Sequence, residues 1–209
     1  MPTLLQPVLK ARKTPIQARS NATVDAILQA TLQVLTSVGK ERLTTTRVAA
    51  RAGVSVGTLY QYFPNKSALL QATLRRHMDA VRHAIETVCA AHKGDSLLDM
   101  GTALIHAYLA AKMQDVKSSA ALYSVSSDID GAAIAKAASL RSRRAIVQLF
   151  ATAREPLTKD PELIANAVVS ALNGFSRSLL ESKSPELQLS STREELTILV
   201  HAYLRTCIR

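Results

Sequence analysis

The segment from Leu43 to Leu70 constrains the fold most, because nearly every residue in it has a definable local role. Thr44 and Thr45 precede an apolar-periodic run and are typical caps at the start of a short helix. Gly53 follows that run and can close the helix in a left-handed conformation. Ser55 is placed to cap a second helix. The segment therefore predicts two short helices joined by a tight turn.

The second helix, Val56 to Phe63, has a buried face and an open face. Leu59 and Phe63 are four positions apart and so lie on the same side. A glycine such as Gly57 destabilises a helix by about 1 kcal/mol relative to alanine. A glycine near a helix start is explained if a phosphate or another backbone must approach the helix closely there. Lys66 opposes the dipole of the next helix unless an anion docks beside it. These features favour a polyanion-binding helix-turn-helix over a helical hairpin inside an ordinary core.

The segment resembles the DNA-binding domain of the TetR family of bacterial transcriptional regulators. The family pattern runs close to TT-x-x-IA-x-x-AGVS-x-GTLY-x-YF-x-x-K-x-x-L, and the chain departs from it visibly only in having valine for isoleucine at position 48. The matching residues are Thr44, Thr45, Val48, Ala49, Ala52, Gly53, Val54, Ser55, Gly57, Thr58, Leu59, Tyr60, Tyr62, Phe63, Lys66 and Leu69.

The resemblance implies an all-α fold. An N-terminal three-helix helix-turn-helix domain would be joined by a long fourth helix to a larger C-terminal helical domain for ligand binding and dimerisation. Composition agrees, because 47% of the residues are hydrophobic, aromatic residues are few and glycine and proline are sparse. Such a composition favours helices and supplies enough apolar surface for a core.

The positive charge of the chain is concentrated at one end. Residues 1–76 carry eleven basic and two acidic side chains, a net charge of +9 out of the total of +10. Residues 77–209 carry 15 basic and 14 acidic side chains. A chain that is basic at one end only is suited to docking a polyanion there, whereas a general need for solubility does not explain the asymmetry.

The chain divides into three expected parts. Residues 1–19 form a flexible basic arm that either reaches DNA or is simply solvated. Residues 20–75 form the helix-turn-helix domain, and residues 76–209 form the domain for effector binding and dimerisation. Apolar periodicity predicts a first helix over Thr23–Val38 and a fourth helix from Lys66 to about residue 91 that links the domains.

The C-terminal half reads as helices separated by breaks. A softer segment, meaning one without a clear helical pattern, is expected near 118–131, followed by a helix over 132–153. Asp160-Pro161 is a cap followed by proline at the first helical position. Thr192 and Glu195 have the spacing of a capping box that would open the final helix.

The predicted DNA-binding residues surround the two short helices. Those expected nearest the bases are Val56, Gly57, Thr58 and Gln61, with Thr46 and Arg47 alongside. Phosphate contacts fix register but carry little sequence information, and they are assigned to Thr45, Ser55, Tyr60, Tyr62 and Lys66. Arg19 abuts the first helix and is the candidate from the arm.

The resemblance also implies that the last two helices pair with their symmetry mates and that a small molecule enters the C-terminal domain. The expected dimer residues are Ile164, Ala167, Val168, Ala171, Leu172, Phe175, Leu196, Leu199, Val200, Tyr203 and Leu204, each of which could instead be intramolecular core. The expected ligand-binding residues are Tyr108, Tyr123, Arg143 and Phe175, with the same alternative. Arg143 lies in an apolar stripe, so it snorkels, pairs internally or awaits an anionic ligand.

Signatures of other classes are absent from the sequence. There is no nucleophile elbow, phosphate-binding glycine loop or His-Glu-x-x-His motif. Cys89 and His92 share a helical spacing, but a structural zinc needs four ligands, so we expect neither a metal nor a cofactor. Two cysteines form no disulfide framework, and no signal peptide or apolar run of roughly 18 residues is visible, so we expect a cytoplasmic protein without a membrane partner.

The sequence thus predicts a homodimeric transcriptional repressor that binds two-fold related half-sites in double-stranded DNA and is released by a small-molecule effector of unknown identity. An effector-independent DNA-binding regulator or architectural protein is one alternative. An enzyme that retains a vestigial helix-turn-helix is the other.

Overall fold

The computed structural model describes residues 15–126 and 129–209, and within these ranges the chain folds into nine helices with no β-sheet. The helices are α1 (Pro15–Arg42), α2 (Thr45–Ala52), α3 (Val56–Tyr62), α4 (Lys66–Ala91), α5 (Leu97–Met113), α6 (Val116–Val125), α7 (Gly131–Phe150), α8 (Pro161–Glu181) and α9 (Pro185–Arg205). The predicted all-α fold, with an N-terminal helix-turn-helix and a larger C-terminal helical domain, is confirmed.

Helices α2, α3 and α4 each begin beside a capping residue, and the sequence predicts the caps at Thr44 and Ser55 and the helix end at Gly53. Thr44, Ser55 and Asn65 each accept a hydrogen bond from the amide three residues further on, at 3.2, 3.0 and 2.8 Å. Gly53 closes α2 with a φ of 69°, a left-handed conformation that glycine adopts without steric cost. These caps satisfy backbone groups that the helices themselves leave without partners.

The first helix is longer than the apolar stripe predicts. α1 begins at Pro15, so residues 15–19, assigned by sequence to the arm, are helical. Proline suits the first turn of a helix because the amide it lacks would have no partner there. Residues 1–14 of the predicted arm lie outside the described residues. Gly39, which follows the predicted apolar stripe, interrupts the helix with a φ of 75°.

Two segments of the C-terminal domain differ from the sequence prediction. The softer segment near 118–131 contains a regular helix, α6, whose first turn is capped because the Asp115 carboxylate accepts the Ser118 amide at 3.0 Å. α9 begins at Pro185, so the capping box predicted at Thr192 and Glu195 is wrong. Both residues lie inside the helix, whose proline start resembles that of α8.

Two hydrophobic cores organise the chain, and α4 contributes to both. Its first turns add Leu69, Leu70 and Leu74 to the N-terminal core, and its later turns add Ile85 and Cys89 to the C-terminal core. The predicted link through the fourth helix is therefore a continuous helix anchored at both ends.

A second connection between the domains was not visible in the sequence. Leu122 and Val125 of α6, together with Ile129, are buried in the N-terminal core against α1. The C-terminal domain therefore reaches the helix-turn-helix through α6 as well as through α4.

α8 has the length and composition of a possible membrane span, with a mean hydropathy of 1.2 over the relevant window. Its buried residues Ile164, Val168 and Leu172 belong to the C-terminal core. Packing inside the fold therefore explains the apolar residues on this side of the helix.

Gly101 allows α9 to pack directly on α5. A Cβ atom at this position would lie 2.6 Å from Leu204 Cδ1 and 3.5 Å from Val200 Cγ1. We therefore expect Gly101→Val to lower the free energy of unfolding by about 2 kcal/mol through overpacking, measured by urea denaturation. Ala80→Val, on an exposed position of α4, is the matched control and should cost only roughly 0.5 kcal/mol in helix propensity. Equal losses in the two variants would contradict the close approach.

Candidate nucleic-acid interface and internal cavity

α3 lies on the surface with its predicted contact face turned outward. Leu59 is fully buried and Phe63 nearly so, and both pack into the N-terminal core. The face on the other side is open to solvent and carries Val56, Gly57, Tyr60 and Gln61. The amphipathic division predicted from the sequence places these side chains where a groove of DNA could reach them.

None of the twelve predicted DNA-binding residues is buried. Four are half-buried, namely Thr45, Thr58, Tyr62 and Lys66. The other eight are exposed, namely Arg19, Thr46, Arg47, Ser55, Val56, Gly57, Tyr60 and Gln61. The group around α2 and α3 forms one continuous stretch of the chain, whereas Arg19 is contributed separately by α1.

Hydroxyl groups hold α2 and α3 together at this surface. Thr45 Oγ1 and Tyr60 Oη share a hydrogen bond at 3.1 Å, which joins the start of α2 to the exposed side of α3. Ser55 Oγ and Thr58 Oγ1 share another at 2.8 Å. Because these groups are already positioned, an approaching partner would meet a preorganised set of donors and acceptors.

Two predicted DNA-binding cations have an intramolecular role that the sequence did not reveal. The Lys66 ammonium donates to the Lys40 carbonyl at 2.9 Å, and the Arg47 guanidinium donates to the Arg42 carbonyl at 3.1 Å. Both carbonyls lie at the end of α1, where helix carbonyls lack partners and the dipole favours cations. The position of Lys66 is therefore explained without a phosphate, although its ammonium has further protons to donate.

Packing within the chain gives no reason for the glycine at position 57. A Cβ atom there would meet only Ser55 Oγ, at 3.7 Å, which is an ordinary contact. The fold would accept a larger residue, so the open space beside Gly57 belongs to the exposed face of α3.

A cavity of about 420 Å³ lies in the C-terminal domain between α4, α5, α6, α7 and α8. This volume is in the range of small-molecule sites. The apolar part of its wall includes Val81, Ile85, Ile146, Leu172 and Leu180. The polar part includes Arg82, Tyr108, Lys112, Tyr123, Lys136, Ser139, Ser142, Asn173, Ser176 and Arg177.

Two of the four residues predicted to bind a ligand line this cavity. Tyr108 and Tyr123 lie in its wall, whereas Arg143 and Phe175 do not. Arg143 Nη1 donates to Asn166 Oδ1 at 2.9 Å and Nη2 lies 3.7 Å from Glu162 Oε1, so the arginine pairs with α8. Phe175 is half-buried in a surface groove between α8 and α9. Arg143 and Phe175 therefore lie outside the wall of this cavity, and Arg143 has the internal partners that the sequence left open as an alternative.

Tyr108 is held as a protonated hydroxyl in the cavity wall. Its Oη donates to Asn173 Oδ1 at 2.8 Å, and burial raises the pKa of Tyr108 to about 12. The phenol is consequently neutral at pH 7, and its hydroxyl is a polar group in a largely apolar wall.

His77 lies where α4, α5 and α6 meet. Its Nε2 is 3.3 Å from Ser119 Oγ of α6. Burial, with a further contribution from the Lys112 charge, lowers the pKa of His77 to about 4. The imidazole is therefore neutral at pH 7.

The predicted dimer residues divide into core and surface. Six of the eleven are buried within the chain's own core and cannot meet a partner, which corrects the prediction for Ile164, Val168, Leu172, Leu196, Val200 and Leu204. The remaining five reach the surface, namely Ala167, Ala171, Phe175, Leu199 and Tyr203. Exposed apolar side chains that the prediction missed are Leu163, Leu187 and Ile198. Leu163, Leu187 and Ile198 lie on the sides of α8 and α9 that face away from the buried core residues.

No group of three or more metal-ligating side chains occurs in residues 15–126 and 129–209. Cys89 is buried, and burial raises the pKa of its thiol to about 11. His92 Nδ1 lies 2.8 Å from Asp95 Oδ2. In the Cys89-x-x-His92 motif, the thiol is thus buried and the histidine already has a carboxylate partner.

Two protein-family models match the chain. The model described as bacterial regulatory proteins, tetR family, matches residues 27–73. The model described as tetracyclin repressor-like, C-terminal domain, matches residues 96–204. The two matched regions contain the helix-turn-helix and most of the cavity wall.

The curated relatives match about a third of the chain in sequence, whereas solved structures superpose on most of the fold. Nucleoid occlusion factor SlmA from Actinobacillus pleuropneumoniae serotype 5b is 35% identical over 74 residues, 35% of each chain. The HTH-type transcriptional regulator BetI from Escherichia coli is 39% identical over 59 residues, 28% of this chain and 30% of that one. The match thus spans about a third of these relatives' length. The crystal structure of a TetR-family transcriptional regulator from Mesorhizobium loti superposes with a TM-score of 0.77 at 19% identity, covering 91% of this chain and 99% of that one.

Because its pKa lies below the ordinary value of 6.5, His77 should make stability depend on pH. Below pH 6.5 the imidazole is protonated in the unfolded chain, whereas in the folded chain it stays neutral until about pH 4. The free energy of unfolding therefore falls as the pH is lowered through this range. Between pH 7 and 4.5, we expect the wild-type protein to lose on the order of 2 kcal/mol more unfolding free energy than His77→Gln. Urea denaturation at both pH values measures the difference.

His83→Gln is the matched control, because His83 is exposed on the same helix. It should lose as much stability as the wild-type protein over this pH range. If His77→Gln behaved like His83→Gln, the buried, neutral histidine would be contradicted.

Proposed function

Because the chain belongs to the TetR family of bacterial regulatory proteins and is a transcriptional regulator with a DNA-binding domain, we propose that it acts as a homodimeric repressor released from its operator by a small-molecule effector. The protein would work in the cytoplasm. The observation that carries the proposal is the combination of an outward-facing α3 with a cavity bounded by α4 and α6, the two helices that also enter the N-terminal core.

α3 is proposed to enter the major groove with its N-terminal end toward the bases. Val56, Gly57 and Gln61 are exposed there, and Thr58 lies beside them. Thr46 and Arg47 of α2 would lie along the groove. The hydroxyl and ammonium groups of Thr45, Ser55, Tyr60, Tyr62 and Lys66, with Arg19 from α1, would bind phosphates and fix the register.

The exposed apolar face of α8 and α9 is the proposed dimer interface. Leu163 and Ala167 lie on this face of α8, and Ile198 and Leu199 lie on the corresponding face of α9. The groove between the helices is lined by Ala171, Gly174 and Phe175, among others. A two-fold dimer would present two α3 helices to half-sites about 34–36 Å apart, which a single helix-turn-helix cannot do.

The cavity is proposed to be the effector site. A ligand that fits better when α4 and α6 are displaced would change the position of the N-terminal core, because both helices supply buried side chains to it. It would shift the equilibrium only by its difference in affinity for the two arrangements. Binding and release of DNA would thus be coupled through packing rather than through contact between the two sites.

Effector-independent DNA binding is the second candidate function. Its support is the similarity to a protein whose name, nucleoid occlusion factor, refers to the nucleoid and not to an effector, with 35% identity over 74 residues. The cavity in the C-terminal domain favours the effector-dependent proposal, because its volume is in the range of small-molecule sites.

Gln61 offers a direct test of the DNA-binding surface. Gln61→Glu adds a negative charge to the exposed face of α3, so we expect its affinity for the native promoter fragment to fall at least tenfold. Fluorescence anisotropy at several salt concentrations measures this, and the wild-type protein should show the steep salt dependence of a protein that displaces several counterions. Gln114→Glu makes the same charge change at an exposed site beyond the end of α5 and should bind normally. Equal binding by both variants would argue against α3 as the recognition helix.

Leu199 tests the interface. Its side chain is 51% exposed in the single chain, and a carboxylate there would be buried without a partner in the proposed dimer. We expect Leu199→Glu to sediment as a monomer at concentrations where the wild-type protein is a dimer. Leu140→Glu, at a 42% exposed position of α7, should remain dimeric. A dimeric Leu199→Glu variant would place the interface elsewhere.

A further inference from the structure

The charged side chains that line the cavity are all cationic. They are Arg82, Lys112, Lys136 and Arg177, and no aspartate or glutamate is among the described lining residues. Such a site attracts anions and repels cations before any specific contact is made.

The two arginines already have carboxylate partners outside the wall of the cavity. Arg82 Nη1 is 2.6 Å from Glu86 Oε2 on the same helix, and Arg177 Nε is 3.0 Å from Glu181 Oε1. Arg177 also lies over the ring of Tyr123, with its Cζ 5.4 Å from the ring centroid. These arginines are therefore compensated within the fold.

Lys112 is different, because it is half-buried at the cavity without a carboxylate partner among the described residues. Its Nζ lies 6.0 Å from the centroid of the Tyr108 ring, and burial lowers its pKa. The carboxylate that follows in sequence, Asp115, already accepts hydrogen bonds from the amide and the hydroxyl of Ser118. An ammonium withdrawn from water in this way is stabilised by a counter-charge, and residues 15–126 and 129–209 pair no carboxylate with it.

Lys136 adds a second uncompensated cation at an exposed position of the cavity wall, with no ion pair in the part of the chain that the structure describes. The same cavity wall contains Val81, Ile85 and Leu172, which offer an apolar surface. A ligand that satisfies both parts must carry a negative group at one end and an apolar body.

We propose that the effector is an amphipathic organic carboxylate, whose carboxylate lies beside the Lys112 ammonium and whose apolar body packs against Val81, Ile85 and Leu172. Lys136 at the edge of the cavity attracts the anion. A neutral ligand leaves Lys112 without a counter-charge, and a cationic ligand faces the positive charges of Lys112 and Lys136. This inference rests on the proposed function of the cavity as the effector site.

The location of Lys112 also fits the proposed signal. Lys112 lies in the last turn of α5, and its positive charge contributes to the lowered pKa of His77 in α4. His77 in turn contacts Ser119 of α6. An anion at Lys112 therefore acts where the two helices that connect the domains meet.

Calorimetric titration of the full chain with matched probes tests the ligand class. Decanoate and 1-decanol share an alkyl body, and so do 2-naphthoate and 2-naphthalenemethanol. At pH 7.5 we expect at least one carboxylate to bind tenfold or more tightly than its alcohol, and decyltrimethylammonium not to bind. The proposal is overturned if neither carboxylate shows this preference or if the ammonium probe binds as tightly.

Lys112→Met keeps an unbranched side chain that is one atom shorter and removes the charge. The preference for carboxylate over alcohol should therefore fall to within about twofold, while alcohol binding persists and reports an intact cavity. Lys117→Met, at an exposed position of α6 outside the cavity wall, should keep the full preference. A Lys112→Met variant that keeps the preference overturns the proposal.

Adding the preferred carboxylate to the protein–DNA complex separates this inference from the proposed function. Release of the promoter fragment supports both. If the carboxylate binds with the preference that depends on Lys112 but leaves the DNA bound, the ligand class stands and effector release fails.

Discussion

The molecule depends on one continuous helix, α4, that is buried at its two ends in two different hydrophobic cores. Leu70 and Leu74 face the N-terminal core, whereas Ile85 and Cys89 face the C-terminal core. These residues recur at helical spacing and so lie along one side of the helix. Because packed cores do not deform continuously, a change around the later turns of α4 must move its first turns or repack them.

The helix-turn-helix surface is held by some of the same side chains that are proposed to contact DNA. Lys66 and Arg47 bind the terminal carbonyls of α1, and Thr45 shares a hydrogen bond with Tyr60. The side chains that would contact phosphate therefore also fix the angles between α1, α2 and α3. Such shared use makes the proposed DNA-binding surface sensitive to the packing beneath it, including the side chains that α6 contributes.

The C-terminal domain combines a charged cavity with an exposed apolar face. Apolar periodicity located α8 and α9 but did not distinguish their two sides, because both sides carry apolar residues. Leu172 and Leu196 are thus buried in the core, while Leu163 and Ile198 face outward. Arg143 shows the same limit, since its partners Asn166 and Glu162 lie on another helix, about twenty residues away in sequence.

What the sequence determined by itself was local: the caps at Thr44 and Ser55, the left-handed turn at Gly53 and the burial of Leu59 opposite Gln61. Each depends on neighbours within about four residues, so residue type and spacing suffice. The tertiary structure alone decided which cations are compensated, which faces of α8 and α9 are buried and which polar side chains meet around the cavity. Lys112 and Leu172 are far apart in the chain and come to one site only because separate helices pack, and no local pattern encodes that distance.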